Sequence, residues 1–349
     1  MSELLRELAA QVPLAVLLVV VAGSILLLSK GADILVAEAV ALSRRFNVRP
    51  VIIGATIVSL GTTTPEAAVS VLSAIEGDPG LALGNAVGSV TANAALIVGV
   101  AALIAPIPVD RVMLRRQGAI QYGSAILLVL VSLPFASGEW VRLVESGNRV
   151  PRFAGVAFLV LLAAYLLASV RWARVGSERE QPALVGEAAV VSVPHTTVQT
   201  LATVTKLAGG LALVVAASQI LIPAVEASAL RLGVPRAVVA ASLVALGTSL
   251  PELVTAITAS RKGHGELALG NVVGANVLNV LFVVGLSAAV TPGGLRVGPE
   301  FVVLLYPAML VSGAFLYAVA GLGRRRIDRT PGLILVVLYV AAVAAGYAV

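Results

Sequence analysis

Residues 54–99 read GATIVSLGTTTPEAAVSVLSAIEGDPGLALGNAVGSVTANAALIVG, and residues 240–285 read AASLVALGTSLPELVTAITASRKGHGELALGNVVGANVLNVLFVVG. An offset of 186 residues aligns the two without a gap, and 18 of the 46 positions are identical. Self-similarity at a fixed offset marks an internal repeat, so what one copy builds the other builds as well. Pro65-Glu66 falls on Pro251-Glu252, Gly84-Asn85 on Gly270-Asn271, and Asn93 on Asn279. Each copy thus sets a carboxylate and amides inside an otherwise apolar run.

The surrounding composition says where those runs reside. Apolar residues make up 59% of the chain and charged residues 12%, with a mean hydropathy of +1.01. A soluble domain carries about 25% charge, so this chain cannot cover a water-facing body and reads as an all-α integral membrane protein. Runs of membrane-crossing length fall at 12–43, 49–75, 79–105, 118–136, 152–171, 200–230, 235–260, 264–289, 299–321 and 331–349. About ten transmembrane helices therefore divide into an N-terminal half (1–173), a polar cytoplasmic linker (174–199) and a C-terminal half (200–349). Five spans per half is an odd number, so the halves enter the membrane from opposite sides as inverted-topology repeats. That architecture places a binding site near the bilayer midplane where the repeats meet, and one chain supplies both halves of it.

Charge sets the orientation. The loops on the side of the N-terminus hold 7 Arg and Lys, the opposite loops 16, and Lys30 lies within a span. The richer side is cytoplasmic, so both termini face outward across the cell membrane. The first apolar run continues past Lys30 without a small-x-small exit, which reads as a retained helix rather than a cleaved signal. The net charge of +6 comes without a basic stripe or aromatic platform, so nucleic acid is not an expected partner. Lys30 and Asp33, one turn apart, read as a local ion pair.

Cysteine is absent, and the two histidines are His195 and His264. A bound cation must then be held by oxygen, which suits hard ions. With no HExxH and no nucleophile–base pairing, the chain does not read as an enzyme and implies no cofactor. Ser59, Thr62, Thr63 and Glu66 stand at i, i+3, i+4 and i+7, on one helix face; their mates are Ala245, Thr248, Ser249 and Glu252. Pro65 and Pro251 displace the carbonyls of Gly61 and Gly247, beside further oxygens around Ser59 and Ala245. Irregular backbone at membrane depth is tolerated where it is buried or lines a cavity, so each element offers an all-oxygen cage.

The following element supplies Asn85, Ser89 and Asn93, matched by Asn271, Ala275 and Asn279. Asn85 and Asn271 read as packing amides beside the small-xxx-small pairs Gly84/Gly88 and Gly270/Gly274, while Asn93 and Asn279 read as ligands. A charged group at the bilayer centre costs several kcal/mol and is functional by default. Inverted halves would bring Glu66 and Glu252 face to face. Two close carboxylates repel unless a proton or cation lies between them, so the pair suits Ca2+, or about two monovalent ions or protons.

GTTTPE…GNAVGSVTAN and GTSLPE…GNVVGANVLN resemble the two alpha repeats of the calcium:cation antiporter superfamily, and within it the prokaryotic sodium/calcium exchangers. The resemblance implies an alternating-access antiporter that moves Ca2+ outward against inward Na+, with both ions as substrates competing for one site. It implies Glu66 and Glu252 as shared central ligands, with Asn93 and Asn279 completing the centre. Thr62 and Thr248 would give hydroxyl or carbonyl oxygen, Thr63, Ser249 and Ser89 would line outer sites, and Ser59 and Ala245 would give backbone carbonyls. Spans one and six would slide across the core to switch access. The chain departs from the family pattern at Thr63, where serine is usual, at Ala275, where a serine is expected, and at Asn279, where some prokaryotic members carry aspartate. Two alternatives stay open. Proton coupling would use the same glutamates, although proton-coupled relatives tend to carry asparagine where Thr62 and Thr248 stand. A passive cation channel would need no counter-ion.

Overall fold

The computed structural model describes residues 7–9, 11–109, 114–133, 148–180, 197–233, 247–321 and 326–346. Its helices, in chain order, are α1 (Leu14–Arg45), α2 (Pro50–Thr62), α3 (Thr64–Ile75), α4 (Pro79–Ile104), α5 (114–132), α6 (Arg152–Glu180), α7 (Thr197–Arg231), α8 (Leu250–Arg261), α9 (Gly265–Val290), α10 (Phe301–Gly321) and α11 (Arg329–Gly346). Seven of them are long and apolar enough to cross a membrane, and α2 with α3 forms an eighth such element. The other two expected spans, 118–136 and 235–260, run into residues outside the described set; within it they contribute α5 and α8. Residues 181–196 of the linker and Ala245 also lie outside the described residues.

The bend between α2 and α3 has a local cause. Pro65 has no N–H for the Gly61 carbonyl, the joint residue Thr63 sits at φ −81° and ψ −4°, and the axes diverge by 42°. Ser249 takes the same conformation, φ −89° and ψ 9°, just ahead of Pro251. The turns that follow α3 and α8 each use a left-handed glycine, Gly77 (φ 95°) and Gly263 (φ 77°), again 186 residues apart. Only glycine takes that conformation without a steric cost. Beyond the turn, Pro79 opens α4 and the Asp78 side chain accepts from the Leu81 N–H at 2.9 Å.

Five π-helical turns interrupt the described helices; besides Leu114–Gly118 in α5 and Phe301–Leu305 in α10, three lie in the repeats. Ala92–Ile97 in α4 and Asn279–Val284 in α9 are π-helical, as is Gly54–Val58 in α2. Such turns interrupt an α-helix frequently at functional sites. α4 and α9 are also the central helices: 72% and 83% of their apolar windows are buried, against 22–39% for the other long helices. The outer helices present large apolar side chains outward, among them Val19 and Leu26 of α1 and Phe153 of α6, as a lipid-facing surface requires.

The halves interlock rather than sit side by side. A Cβ on Gly99 of α4 would lie 2.8 Å from the Gly332 carbonyl of α11, and one on Gly285 of α9 would lie 3.2 Å from the Gly155 carbonyl of α6. The central helix of each half is thus pressed against an outer helix of the other. Two short antiparallel ribbons, unforeseen from hydropathy, repeat the exchange. β1 (Ile107–Pro108) pairs with β4 (Arg326–Ile327), and β2 (Asn148–Val150) pairs with β3 (Leu295–Val297). Each ribbon joins a loop of one half to a loop of the other. α1 and α7 lie along one another, close enough that a Cβ on Gly210 would come within 2.8 Å of the Leu35 nitrogen. Asp33 does not make the local pair with Lys30 that the sequence suggested. Its carboxylate meets Lys262, beyond the end of α8, at 2.8 Å, because tertiary packing brings that ammonium closer than its helix neighbour.

Candidate functional site

The two broken elements and the two central helices meet in a fully enclosed polar centre. Glu66 and Glu252 are each 0% exposed, as are Ser59, Thr62, Thr63, Asn93, Asn271 and Asn279, while Ser89 and Ser249 are at 1%. Thr248 and Asn85 are half-buried. Of the expected site residues, Ala245 alone lies outside the described set. Burying a carboxylate without a compensating partner costs several kcal/mol, so the hydrogen bonds that reach these two groups define the site.

Those bonds run between the repeats and obey their symmetry. The Thr63 hydroxyl donates to Glu252 Oε1 at 3.4 Å, and the Ser249 hydroxyl donates to Glu66 Oε1 at 3.4 Å. Thr62 donates to Asn271 Oδ1 at 3.3 Å, and Thr248 donates to Asn85 Oδ1 at 3.1 Å. Shifting every residue of one pair by 186 produces the other pair. Each glutamate is therefore held by the other half, and each keeps its second oxygen, Oε2, without a hydrogen-bond partner. Long hydroxyl contacts of this kind are weak, so two carboxylate oxygens are open to a ligand and the other two are only lightly held. Among the described residues no group of three or more His, Cys, Asp or Glu side chains gathers, so the charge of the centre comes from these two acids.

Asn93 and Asn279 stand at the start of their π-helical turns with both amide atoms unpartnered. A buried amide missing every bond is expensive, and such a group marks a place where something other than protein completes the set. No hydrogen bond ties either asparagine to the glutamates. Of the two amides expected to pack, Asn85 is satisfied within the protein. Asn85 donates to the Ser70 hydroxyl at 2.9 Å and to the Glu66 carbonyl at 3.4 Å. Asn271 is less complete, since its Nδ2 has no partner.

The Ser59 carbonyl is occupied within its own helix. It accepts the Thr63 N–H at 2.9 Å, and it competes with Asn271 Oδ1 for the single Thr62 hydroxyl hydrogen, at 3.4 Å against 3.3 Å. Two further residues join the site without having been singled out from the sequence. Ser70 continues the polar face one turn past Glu66, and its i+4 spacing was a usable signal. Tyr165 of α6 donates to the carbonyl of Ala55 at 3.3 Å, in the π-helical turn of α2. Nothing in the chain's periodicity points to that contact, because it spans 110 positions.

Comparison with known proteins gives the family and the fold. The sequence profile of the family described as sodium/calcium exchanger protein matches residues 16–171 and 203–347, once in each half. Sodium/calcium exchanger MaX1 of Methanosarcina acetivorans is 33% identical over 335 residues, covering 90% of this chain and 93% of its own. Inner membrane protein YrbG of Escherichia coli is 35% identical over 271 residues, covering 77% of this chain and 78% of its own. Among solved structures, the sodium-calcium exchanger NCX_Mj soaked with Na+ and Sr2+ is similar with a TM-score of 0.76 and 25% identity, over 94% of this chain and 97% of that one. MaX1 and NCX_Mj are exchangers and not enzymes. With a matching profile in both halves and a common helical membrane fold, the chain belongs to the sodium/calcium exchanger family.

Proposed function

We propose that this protein exchanges Na+ for Ca2+ across the cell membrane by alternating access, the two ions competing for one midplane site. The observation that carries this reading is the reciprocal grip on the glutamates. Glu66 and Glu252 are each buried completely, each fixed through one oxygen by a hydroxyl of the opposite repeat, and each left with one open oxygen. Carboxylate oxygens with flanking hydroxyls and amides suit a hard divalent ion, and replacing one divalent ion by monovalent ones keeps the pair neutralised. In this reading Glu66 and Glu252 are the central ligands, Asn93 and Asn279 complete the centre, and Thr62 and Thr248 orient it. Thr63, Ser249 and Ser89 line flanking positions. One chain suffices for one site, and both termini face outward on the strength of the 7-to-16 bias in loop Arg and Lys.

The test is 45Ca2+ uptake into proteoliposomes loaded with Na+, with choline-loaded and acid-loaded controls. Wild-type protein takes up Ca2+ when Na+ is inside. Glu252→Gln removes one of two buried charges, a loss on the order of 3 kcal/mol or about 100-fold in uptake. Uptake driven by the proton gradient alone would replace Na+ by H+ as the coupling ion. Uptake that needs no counter-ion gradient would instead make the protein a passive conductor.

A further inference from the structure

The repeats are not identical where hydroxyls are concerned, and the differences are complementary. The offset of 186 sets Ser59 against Ala245 and Ser89 against Ala275. Each copy therefore keeps one serine where the other has alanine, but on a different element. On one side of the glutamates, the Ser249 hydroxyl lies 3.1 Å from the Ser89 hydroxyl and 3.4 Å from Glu66 Oε1, so that Ser249 can donate to the carboxylate while accepting from Ser89. Two hydroxyls flank that carboxylate. On the other side, Thr63 donates to Glu252, and the residue that would complete the symmetric pair is Ala275, which has no oxygen to offer.

Ser59 stands one helical turn before Thr63 and is 0% exposed. Its hydroxyl reaches the backbone of α9 at the residue before Ala275: a Cβ built on Gly274 would be 2.6 Å from Ser59 Oγ. That hydroxyl donates its hydrogen to the Thr56 carbonyl at 3.2 Å, and a hydroxyl that donates locally still has its lone pairs to offer. The Ser59 carbonyl already accepts the Thr63 N–H at 2.9 Å. We infer that Ser59 supplies through its side-chain oxygen the cation ligand that Ala275 lacks, so that both flanks of the glutamate pair hold two hydroxyls. The inference rests on the exchange site proposed above and goes beyond it. It assigns the ligand atom to the hydroxyl rather than the carbonyl, and it keeps the second flanking monovalent position despite Ala275.

A double-substitution cycle tests this on purified full-length protein, with Na+ displacement of bound 45Ca2+ as the readout and thermal unfolding as the control for folding. Ser59→Ala is expected to raise the Na+ concentration for half-displacement by about tenfold while Ca2+ affinity moves by no more than about twofold. Adding Ala275→Ser to Ser59→Ala returns the oxygen from the opposite helix and is expected to recover most of the loss. A role confined to bonding Thr56 would shift unfolding and leave displacement alone. Unchanged displacement in Ser59→Ala, or a double variant as impaired as the single one, overturns the inference. Wild-type protein in which Na+ does not displace Ca2+ at all would overturn the exchange site itself, so the two failures are told apart.

Discussion

Asn85 and Asn271 occupy matched positions, yet they are not equally satisfied, and the Ser70 hydroxyl is the shorter of the two contacts that Asn271 lacks. Ser70 takes a hydrogen bond from Asn85 at 2.9 Å; the residue 186 positions on is Ala256, and Asn271 Nδ2 is left without a partner. An intramolecular hydrogen bond contributes about 1 kcal/mol net, and an orphaned buried donor costs about 1–3 kcal/mol. Ser70→Ala is therefore expected to destabilise the protein by about 1–2 kcal/mol, and Ala256→Ser to stabilise it by somewhat less, because serine is a poorer helix former than alanine. Thermal unfolding in detergent measures both. A stabilising Ser70→Ala would show that Asn85 does not depend on that bond. The acids themselves were legible in the sequence, since each copy carries a carboxylate, Glu66 or Glu252, inside a run of membrane-crossing length. Their partners were less so: Thr63 meeting Glu252 across 189 positions follows from the fold, and no local spacing encodes it.

Helices fared better than the contacts between them. Hydropathy finds the spans because roughly 20 apolar residues are needed to cross hydrocarbon, and the proline after each threonine or serine joint announces the break at Thr63 and Ser249. The π-helical turns were invisible, since one widened turn barely alters a hydropathy average, and ribbons of two or three residues carry no periodicity to detect. The glycine pair of α9 shows what was half legible. Gly270 and Gly274 promised a close approach without naming the neighbour, and the neighbour is α2 of the opposite half. A Cβ on Gly270 would lie 2.2 Å from the Val51 carbonyl, and one on Gly274 would lie 2.4 Å from the Ala55 carbonyl. Neither backbone oxygen can swing aside as a side chain would. Gly270→Ala and Gly274→Ala are each expected to push α2 off α9, at a cost of about 1–3 kcal/mol for overpacking. They should also weaken Ca2+ binding, because Thr62 and Asn271 sit in that seam and hydrogen-bond across it. Equilibrium 45Ca2+ binding beside a thermal melt measures both effects. Wild-type affinity in either variant would mean that the seam tolerates separation without disturbing the site.

At the scale of the whole molecule the question is which helices move together. α1 makes two ion pairs with different consequences: Glu38 faces Lys206 of α7 at 3.9 Å, and Asp33 faces Lys262, beyond α8, at 2.8 Å. The first lies within the closely packed α1–α7 pair, where a Cβ on Gly31 would be 3.0 Å from the Val214 nitrogen. The second joins that pair to the helix bearing Glu252. Exposed pairs of this kind contribute about 0–1 kcal/mol, too little to lock two bodies but enough to bias a sliding equilibrium by severalfold. If α1 and α7 travel as one unit over the core, tying them together should be harmless and tying α1 to the end of α8 should not. The chain contains no cysteine, so paired cysteines can be joined by a bifunctional thiol reagent without background. Glu38→Cys with Lys206→Cys, once cross-linked, is expected to exchange within about twofold of the unlinked protein, whereas Asp33→Cys with Lys262→Cys should lose about tenfold or more, because a tether forbids shear between packed helices. A reducible reagent makes the second block reversible, which separates a mechanical stop from damage. Inhibition by the first link would dissolve the α1–α7 unit, and free exchange through the second would place the moving boundary elsewhere in the fold.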